Sequence, residues 1–202
     1  MRVVIDGAAG SGKTTFLSNN YLSKFIKKEY ENLPSIVSRG YTVFSELVQG
    51  SINEAKAMNI SPPQNDDEWK KLFDIMLAKG IQQYRAGDGS DIYWYDRGIP
   101  FISAFATAHN VVLPLDIREK FELYRYDYIF IFKPIDSYDL SMTSNGKYKP
   151  LTLEDRYEEY ERTCCIYESL GYDVHRVPVY SDNLIDNFNR RLNYIKEIIP
   201  DV

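Results

Sequence analysis

The sequence contains little cysteine and little histidine, with two of each among its 202 residues. The two cysteines, Cys164 and Cys165, are adjacent, so they cannot join distant segments of the chain in a disulfide framework. His109 and His175 lie far apart and belong to no paired motif. We therefore expect neither a disulfide-stabilised fold nor a cysteine- or histidine-based metal cluster, and we assign no catalysis to either histidine.

An excess of positive charge and a long apolar run are also missing. The formal net charge is −5 at pH 7, which argues against a general nucleic-acid-binding protein. No apolar stretch reaches the roughly eighteen residues of a membrane span, and the N-terminus leads through Arg2 into an apolar strand rather than a signal peptide. We therefore expect a cytoplasmic protein without membrane insertion. The composition leaves the oligomeric state open.

The chain does contain enough apolar sequence for a core, because 44% of its residues are hydrophobic. Short β-branched runs alternate with longer amphipathic stretches, which is typical of a parallel sheet covered by helices. Strands are predicted near residues 2–6, 41–45, 91–96, 127–133 and 173–178. Helices are predicted near residues 13–30, 46–58, 66–85, 98–109, 115–125, 153–171 and 181–198.

The first predicted strand runs into Gly7-Ala-Ala-Gly-Ser-Gly-Lys-Thr14, which matches the phosphate-binding P-loop pattern Gly-x-x-x-x-Gly-Lys-Ser/Thr. The glycines let backbone N–H groups face a phosphate, Lys13 reaches the β- and γ-phosphates, and the Thr14 hydroxyl is a ligand for Mg²⁺. The predicted nucleotide-binding residues of this segment are Gly7, Ala8, Ala9, Gly10, Ser11, Gly12, Lys13, Thr14 and Thr15. The pattern predicts a three-layer α/β/α P-loop NTPase domain over residues 1–202, with a five-stranded, mostly parallel sheet.

A second chemical signal, Asp96-Arg97-Gly98, ends the third predicted strand. Ligands bind at strand ends in a parallel sheet, so both charged side chains are expected beside the P-loop. Asp96 is predicted to hold Mg²⁺, directly or through water, or to act as a base, and Arg97 to bind the acceptor or the transferred phosphoryl group. Together with Lys13 they are the predicted catalytic residues.

Two further carboxylates have competing interpretations. Glu46 is placed on the acceptor side of the crevice, where it is a predicted substrate-binding residue. The alternative for Glu46 is a charge that favours the N-terminus of the following helix. For Asp6, hydrogen bonding to neighbouring backbone N–H groups and a role in binding metal-bound water have equal weight.

Residues 134–152 form the longest polar stretch rich in turn-forming residues, and they are the candidate lid over the site. Lys147 and Lys149 lie within this stretch, and Arg156 and Arg162 follow it in the next predicted helix. Phosphoryl transfer needs positive charge around the transferred group, so Arg156 and Arg162 are predicted to bind the nucleotide. Many acidic neighbours make a solvated, salt-bridged helix face the alternative for each of these cations.

Several of these motifs resemble a known family. Residues 5–14 are similar to the P-loops of nucleoside-monophosphate kinases, cytidylate kinase most of all. The whole chain looks closer to the compact P-loop ATPase and kinase domains grouped with the nicotinamide-riboside kinase domain of a bacterial NAD regulator. That likeness includes residues 40–46, 95–98 and 170–178. It implies a nucleoside-kinase-like fold that binds Mg²⁺ and a nucleoside triphosphate, with Asp96 and Arg97 near the phosphate or the acceptor.

The chain departs from this family at Phe101. Such domains commonly carry an acidic residue at about this position, and a phenylalanine cannot accept a hydroxyl proton. The family's acceptor assignment is therefore not carried over to this chain.

The leading hypothesis is a phosphotransferase that uses Mg²⁺ and ATP, or GTP, to phosphorylate a small nucleoside- or nucleotide-like acceptor. ATP is preferred because the sequence lacks an obvious guanine-reading Asn-Lys-x-Asp element. The alternative is an NTP-gated binding or regulatory module that hydrolyses ATP or GTP without a metabolic acceptor. The acidic charge balance disfavours a nucleic-acid end kinase.

Overall fold

Five parallel strands form one sheet between two layers of helices. The computed structural model describes residues 1–17, 35–44, 46–60, 62–87, 89, 91–137 and 151–202. The strands pair in the order β2-β3-β1-β4-β5, and every neighbouring pair is parallel. The predicted five-stranded α/β sheet is confirmed. The strands are β1 (Arg2–Gly7), β2 (Thr42–Phe44), β3 (Tyr93–Asp96), β4 (Tyr128–Phe132) and β5 (Val174–Val177).

The helices of the described residues mostly follow the predicted ranges. They are α1 (Lys13–Leu17), α2 (Leu47–Ala57), α3 (Asp66–Ala86), α4 (Phe101–Ala108), α5 (Leu115–Arg118), α6 (Leu153–Ser169) and α7 (Leu184–Ile198), with short 3-10 helices at Val37–Arg39 and Glu119–Glu122. The helix predicted over 115–125 is wrong in its second half, where the chain tightens into a 3-10 helix that buries Phe121. Of the helix predicted over 13–30, residues 18–30 lie outside the described residues.

The sheet separates two apolar cores because alternate residues of a strand point to opposite faces. Val4 and Tyr95 lie in the core beneath α2 to α6. Their sequence neighbours Ile5 and Trp94 lie in the other core, against α1 and α7. Both faces of the three central strands, β1, β3 and β4, are therefore largely buried, as is usual for a parallel sheet with helices on each side.

The carboxyl ends of the strands meet at one edge of the sheet, where parallel α/β folds bind ligands. At this edge β1 leads into residues 8–12, and β3 leads into Arg97. β2 leads through residue 45 to Glu46, which precedes α2. The register places Ile5 of β1 opposite Asp96 of β3. Motifs from separate parts of the sequence thus converge at this edge.

A capping box fixes the start of α6, a helix that contributes side chains to the same edge. Thr152 Oγ1 accepts a hydrogen bond from the Asp155 N–H at 3.1 Å, and the Asp155 carboxylate accepts one from the Thr152 N–H at 2.8 Å. A cap of this kind contributes about 1 kcal/mol to helix stability. The cap thus specifies the first residue of α6, the helix that carries Arg156, Glu159 and Arg162.

Most of the candidate lid lies outside the described residues. Of residues 134–152, the structure describes 134–137 and 151–152, so Lys147 and Lys149 are not among them. In the part of the chain that is described, no helix has the length and apolar character needed to cross a lipid bilayer.

Candidate active site

The loop between β1 and α1 has a backbone conformation that requires glycine at two positions. Gly7 has a φ of +141°, and a Cβ at this residue would lie 2.5 Å from the carbonyl oxygen of Phe132. Gly12 has a φ of +81°, in the left-handed region. The Ile135 N–H donates to the Gly10 carbonyl at 3.1 Å and ties the loop to the segment after β4. This is the kind of loop whose N–H groups bind phosphate.

Lys13, Thr14 and Asp96 come together where β3 ends beside this loop. The Thr14 hydroxyl donates to Asp96 Oδ2 at 3.3 Å, and Lys13 Nζ lies 3.5 Å from the Ala8 carbonyl oxygen. Lys13 is only 6% exposed and Asp96 only 4%. Two buried oxygen atoms, Asp96 Oδ1 and Ser11 Oγ, have no hydrogen-bond partner among the described residues. The site therefore holds both a buried positive charge and unused oxygen lone pairs.

The oxygens of Thr14 and Asp96 fit a Mg²⁺ ion. Protein sites often supply Mg²⁺ with one or two oxygen ligands, and substrate phosphates and water complete the octahedral shell. A hydroxyl and a carboxylate 3.3 Å apart, with one carboxylate oxygen unpartnered, are such a donor set. Within the described ranges, no group of three or more histidine, cysteine or carboxylate side chains forms a metal cluster. The described residues would thus supply few of the six Mg²⁺ ligands, as expected for an ion that binds together with nucleotide phosphates.

Burial raises the pKa of Asp96 from its ordinary value of 3.8 to about 6. The positive charge of Lys13 opposes this rise, whereas the carboxylate of Glu46 adds to it. The ionised Asp96 carboxylate is therefore destabilised in the folded protein without a bound cation.

We expect Asp96→Asn to stabilise the nucleotide-free protein by about 3 kcal/mol at neutral pH. The folded state holds the Asp96 proton more tightly than the unfolded state does. The cost of ionised Asp96 is therefore complete above pH about 6 and absent below pH about 4. Urea denaturation at both ends of this range measures the difference, with exposed Asp201→Asn as the control. A variant no more stable than the wild type at neutral pH would contradict this expectation.

Arg97 is the centre of an ion-pair cluster. Its Nε and two terminal nitrogens donate to carboxylate oxygens of Glu46, Asp6 and Glu159 at 3.1, 3.3 and 3.4 Å. The guanidinium also lies 3.8 Å from the centre of the Phe101 ring. Burial acts to lower the pKa of Arg97, but the three carboxylates outweigh burial and raise it above its ordinary value. The backbone φ of Arg97 is +72°, which is unusual for a residue other than glycine.

Asp6 links the start of the P-loop to this cluster. Its Oδ1 accepts the Gly7 N–H at 2.7 Å, and its Oδ2 accepts the Tyr167 hydroxyl at 3.0 Å. The Tyr167 oxygen in turn accepts the Gly98 N–H at 3.2 Å. Of the two interpretations from the sequence, hydrogen bonding to the backbone is the one that these contacts favour. Sequence reasoning did not identify Tyr167, a side chain of α6.

Glu46 is a second partner of Arg97 and is only partly buried, with 26% of its side chain exposed. Burial acts to raise the pKa of Glu46, but the positive charges of Arg97 and Lys13 outweigh burial and lower it. Glu46 is therefore ionised at neutral pH. Its position before α2 agrees with both interpretations from the sequence, a helix-terminal charge and a group of the acceptor side.

Helix α6 brings three charged side chains to the edge of the sheet. Glu159 Oε2 accepts the Ala9 N–H at 3.3 Å, so this carboxylate bridges the P-loop and Arg97. Arg156 is buried and donates to the Ile135 carbonyl at 3.0 Å. Arg162 lies instead on the wall of a cavity. The two arginines predicted to bind nucleotide therefore occupy different places, and Glu159 was not predicted.

An open cavity beside Arg97 has a volume of about 410 Å³ and lies between α2, α4 and α6. Phe101, Phe105 and Val48 line its apolar side, and Glu158 and Arg162 line its charged side. Its volume lies in the range typical of small-molecule sites, about 300–1,000 Å³.

A family model described as an AAA domain matches residues 2–183. The chain belongs to this AAA-domain family. No curated protein sequence matches the chain.

Solved kinase structures share the fold of this AAA domain. A deoxyadenosine kinase from M. mycoides, solved with dCMP and dCDP, matches with a TM-score of 0.58 and 15% identity, covering 98% of this chain and 100% of that chain. A thymidylate kinase from Ehrlichia chaffeensis matches with a TM-score of 0.57 and 17% identity, covering 98% of each chain. NadR in complex with NR matches with a TM-score of 0.52 and 16% identity, covering 97% of this chain and 48% of that chain. The predicted resemblance to P-loop nucleoside and nucleotide kinases is confirmed at the level of the fold.

Arg191 of α7 contacts the P-loop of this AAA domain through a hydrogen bond to the loop backbone. Its guanidinium donates to the carbonyl oxygens of Ser11, Lys133 and Pro178 at 2.5, 3.1 and 3.2 Å. Burial lowers the pKa of Arg191 to about 10. The side chain thus joins three separate segments at the carboxyl edge of the sheet.

Sequence reasoning did not identify Arg191, although a signal was present. Leu184, Phe188 and Ile195 mark the apolar stripe of α7, and Arg191 occupies a position of the same stripe. A charged residue on an apolar helix face is expected to have a buried hydrogen-bond partner.

We expect Arg191→Leu to weaken ATP binding about ten-fold, because the Ser11 carbonyl then loses the donor that holds the loop in place. The matched control is Arg190→Leu, which removes an adjacent arginine that is 57% exposed and paired with Asp186. Isothermal calorimetry with Mg²⁺ and ATP measures both affinities. Equal affinities of the two variants would show that Arg191 does not position the loop.

Proposed function

We propose that this AAA domain is a phosphotransferase that uses Mg²⁺ and ATP to phosphorylate a small nucleoside- or nucleotide-like acceptor. One observation carries the proposal: the P-loop and the 410 Å³ cavity are joined by Glu159, which lines the cavity and accepts the Ala9 N–H. An NTP hydrolase needs a nucleotide site alone, whereas a phosphotransferase needs an acceptor site beside it. The deoxyadenosine kinase and thymidylate kinase among the structural neighbours support the same class of reaction.

In the proposed reaction, an acceptor hydroxyl oxygen bonds to the γ-phosphorus as the bond from that phosphorus to the bridging oxygen breaks, and ADP leaves. Phosphoryl transfer depends mainly on positioning and on balancing negative charge. Lys13 and the N–H groups of the P-loop supply positive charge to the phosphates. Thr14 and Asp96 are the residues that would hold Mg²⁺, and a bound Mg²⁺ neutralises phosphate charge.

Glu46 is the residue that we assign to accept the proton of the acceptor hydroxyl. It is ionised at neutral pH and partly exposed, whereas the unpartnered oxygen of Asp96 is buried. Its hydrogen bond to Arg97 at 3.1 Å fixes its position next to the cavity wall. Phe101 supports this arrangement by packing against Arg97, so the missing acidic residue is not needed there.

We expect Glu46→Gln to lower kcat about 10²-fold, because a neutral amide cannot take the proton. The amide oxygen still accepts the hydrogen bond from Arg97, so the KM for ATP is expected to change little. Glu54→Gln, at an exposed position of α2, the helix that follows Glu46, is the control. Steady-state kinetics with saturating ATP measure the effect, and an unchanged kcat would exclude Glu46 as the proton acceptor.

The proposed function is tested by screening nucleosides and nucleotides as acceptors in a coupled assay of ADP release, with Mg²⁺ and ATP or GTP. We expect ADP release that depends on one class of acceptor. ADP release at the same rate with and without every acceptor would instead favour a regulatory NTPase.

A further inference from the structure

Each guanidinium nitrogen of Arg97 is hydrogen-bonded to a carboxylate of the protein. The three carboxylates are those of Glu46, Asp6 and Glu159. Arginine binds phosphate best with two parallel N–H donors. An acceptor phosphate at Arg97 would have to approach a guanidinium that three protein carboxylates already surround, and their negative charges would repel it. Arg97 is therefore built to orient Glu46 and not to bind an acceptor phosphate.

The α6 side of the cavity is acidic. Asp155, Glu158 and Glu159 line it, and we call these three residues the acidic wall. Besides Arg97, the only cation among the described lining residues is Arg162. A phosphate monoester carries between about 1.5 and 2 negative charges at pH 7, and carboxylates repel it. The acidic wall thus disfavours a phosphorylated acceptor and suits hydroxyl and amino groups that donate hydrogen bonds.

The opposite side of the cavity is aromatic. Phe101 and Phe105 lie one turn apart on α4, and the His109 ring centre lies 4.4 Å from that of Phe105. The small side chains of Ala104 and Ala108 complete this side. Such a surface packs well against a flat heterocyclic ring. The cavity therefore combines a surface for a base with acceptors for sugar hydroxyls.

We infer that the acceptor is an unphosphorylated nucleoside and that this cavity rejects nucleoside monophosphates. The inference rests on the proposed function and narrows its acceptor to one class. The base packs against Phe101 and Phe105, and sugar hydroxyls donate to the acidic wall. The reacting hydroxyl passes its proton to Glu46 as its oxygen takes the γ-phosphoryl group and ADP leaves.

The test compares nucleosides with their own 5′-monophosphates in two assays. In the first, the full chain saturated with Mg²⁺ and AMP-PNP is titrated by calorimetry with the common ribonucleosides, deoxyribonucleosides and 5′-monophosphates. In the second, coupled ADP release with Mg²⁺ and ATP measures kcat/KM for the same compounds. We expect at least one nucleoside to bind and to react. Both its affinity and its kcat/KM are expected to exceed those of its own monophosphate about ten-fold or more.

A pair of charge-reversal variants tests the acidic wall directly. Glu158→Lys is expected to shift the ratio of affinities about ten-fold toward the monophosphate. Glu154→Lys makes the same charge change at another exposed position of α6, outside the cavity lining. We expect it to change the ratio by no more than about two-fold, because Glu154 does not line the cavity and solvent screens its charge from a ligand there.

The outcomes separate this inference from the proposed function. A nucleoside that binds more tightly than its monophosphate but is never phosphorylated would support the ligand class and overturn the proposed function. A monophosphate that reacts in preference to its nucleoside would support the proposed function and overturn the inference. Binding of neither class, or an affinity ratio unmoved by Glu158→Lys, would also overturn the inference.

Discussion

Replacement of Lys13 by methionine is expected to lower the kcat of phosphoryl transfer about 10³-fold, the upper range for loss of one charge-stabilising group. Lys13 is almost fully buried, and it forms no ion pair among the described residues. Its ammonium group interacts with the charges of Asp96 and Glu46 without a direct ion pair to either, so it remains able to bind nucleotide phosphates as its direct counter-charge. Since methionine preserves the apolar stem, the nucleotide-free variant is expected to fold with stability equal to or greater than that of the wild type.

Coupled ADP release gives the rate, and thermal unfolding with and without ADP gives the binding. Wild-type protein is expected to gain melting temperature when ADP and Mg²⁺ are added, whereas Lys13→Met gains much less. Lys56→Met, at an exposed position near the end of α2, is the matched control. It is expected to keep both the wild-type rate and the wild-type gain in melting temperature. Full activity of Lys13→Met would remove the P-loop from the proposed mechanism.

Arg97→Met is expected to destabilise the fold by about 3–5 kcal/mol, the range for removing one partner of a buried ion pair. The substitution leaves the carboxylates of Asp6, Glu46 and Glu159 without their shared cation. It also keeps a side chain with a Cβ at a φ of +72°, so the backbone strain remains after the compensating contacts are gone. Activity is expected to fall as well, because Glu46 then has no fixed position.

Arg176→Met is the matched control because Arg176 also pairs with two carboxylates, those of Glu161 and Glu168, but is 38% exposed. Exposed ion pairs contribute about 0–1 kcal/mol, so the control is expected to lose no more than that. Urea denaturation at neutral pH measures both variants. Similar losses for Arg97→Met and Arg176→Met would contradict the buried-cluster account.

The strands of the sheet could be predicted from the sequence because each strand is marked by neighbouring residues of the chain. The central strands are short runs such as Val3-Val-Ile5 whose residues are buried on both faces, and these runs and their flanking turns can be recognised in the sequence itself. The helix over 115–125 could not be placed in the same way. The periodicity of residues 115–125 fits a helix, but burial of Phe121 against the α2–α6 core tightens the second half into a 3-10 turn.

The site was predictable only where its residues follow strands. Asp96 and Arg97 could be placed because the carboxyl ends of parallel strands share one edge. Glu159, Tyr167 and Arg191 could not, since each lies within an amphipathic helix and meets its partner across 62, 161 and 180 residues of sequence. Contacts at such separations depend on how the helices pack, and no local pattern encodes them.

The central position of β1 has a consequence for how the protein is made. The ribosome releases β1 before its two neighbours in the sheet, β3 and β4, which follow only at Tyr93–Asp96 and Tyr128–Phe132. Arg191, which braces the P-loop at Ser11, is translated later still. The P-loop thus leaves the ribosome well before the strands and the arginine that support it. A nascent chain gains its complete phosphate-binding loop only when translation has passed α7.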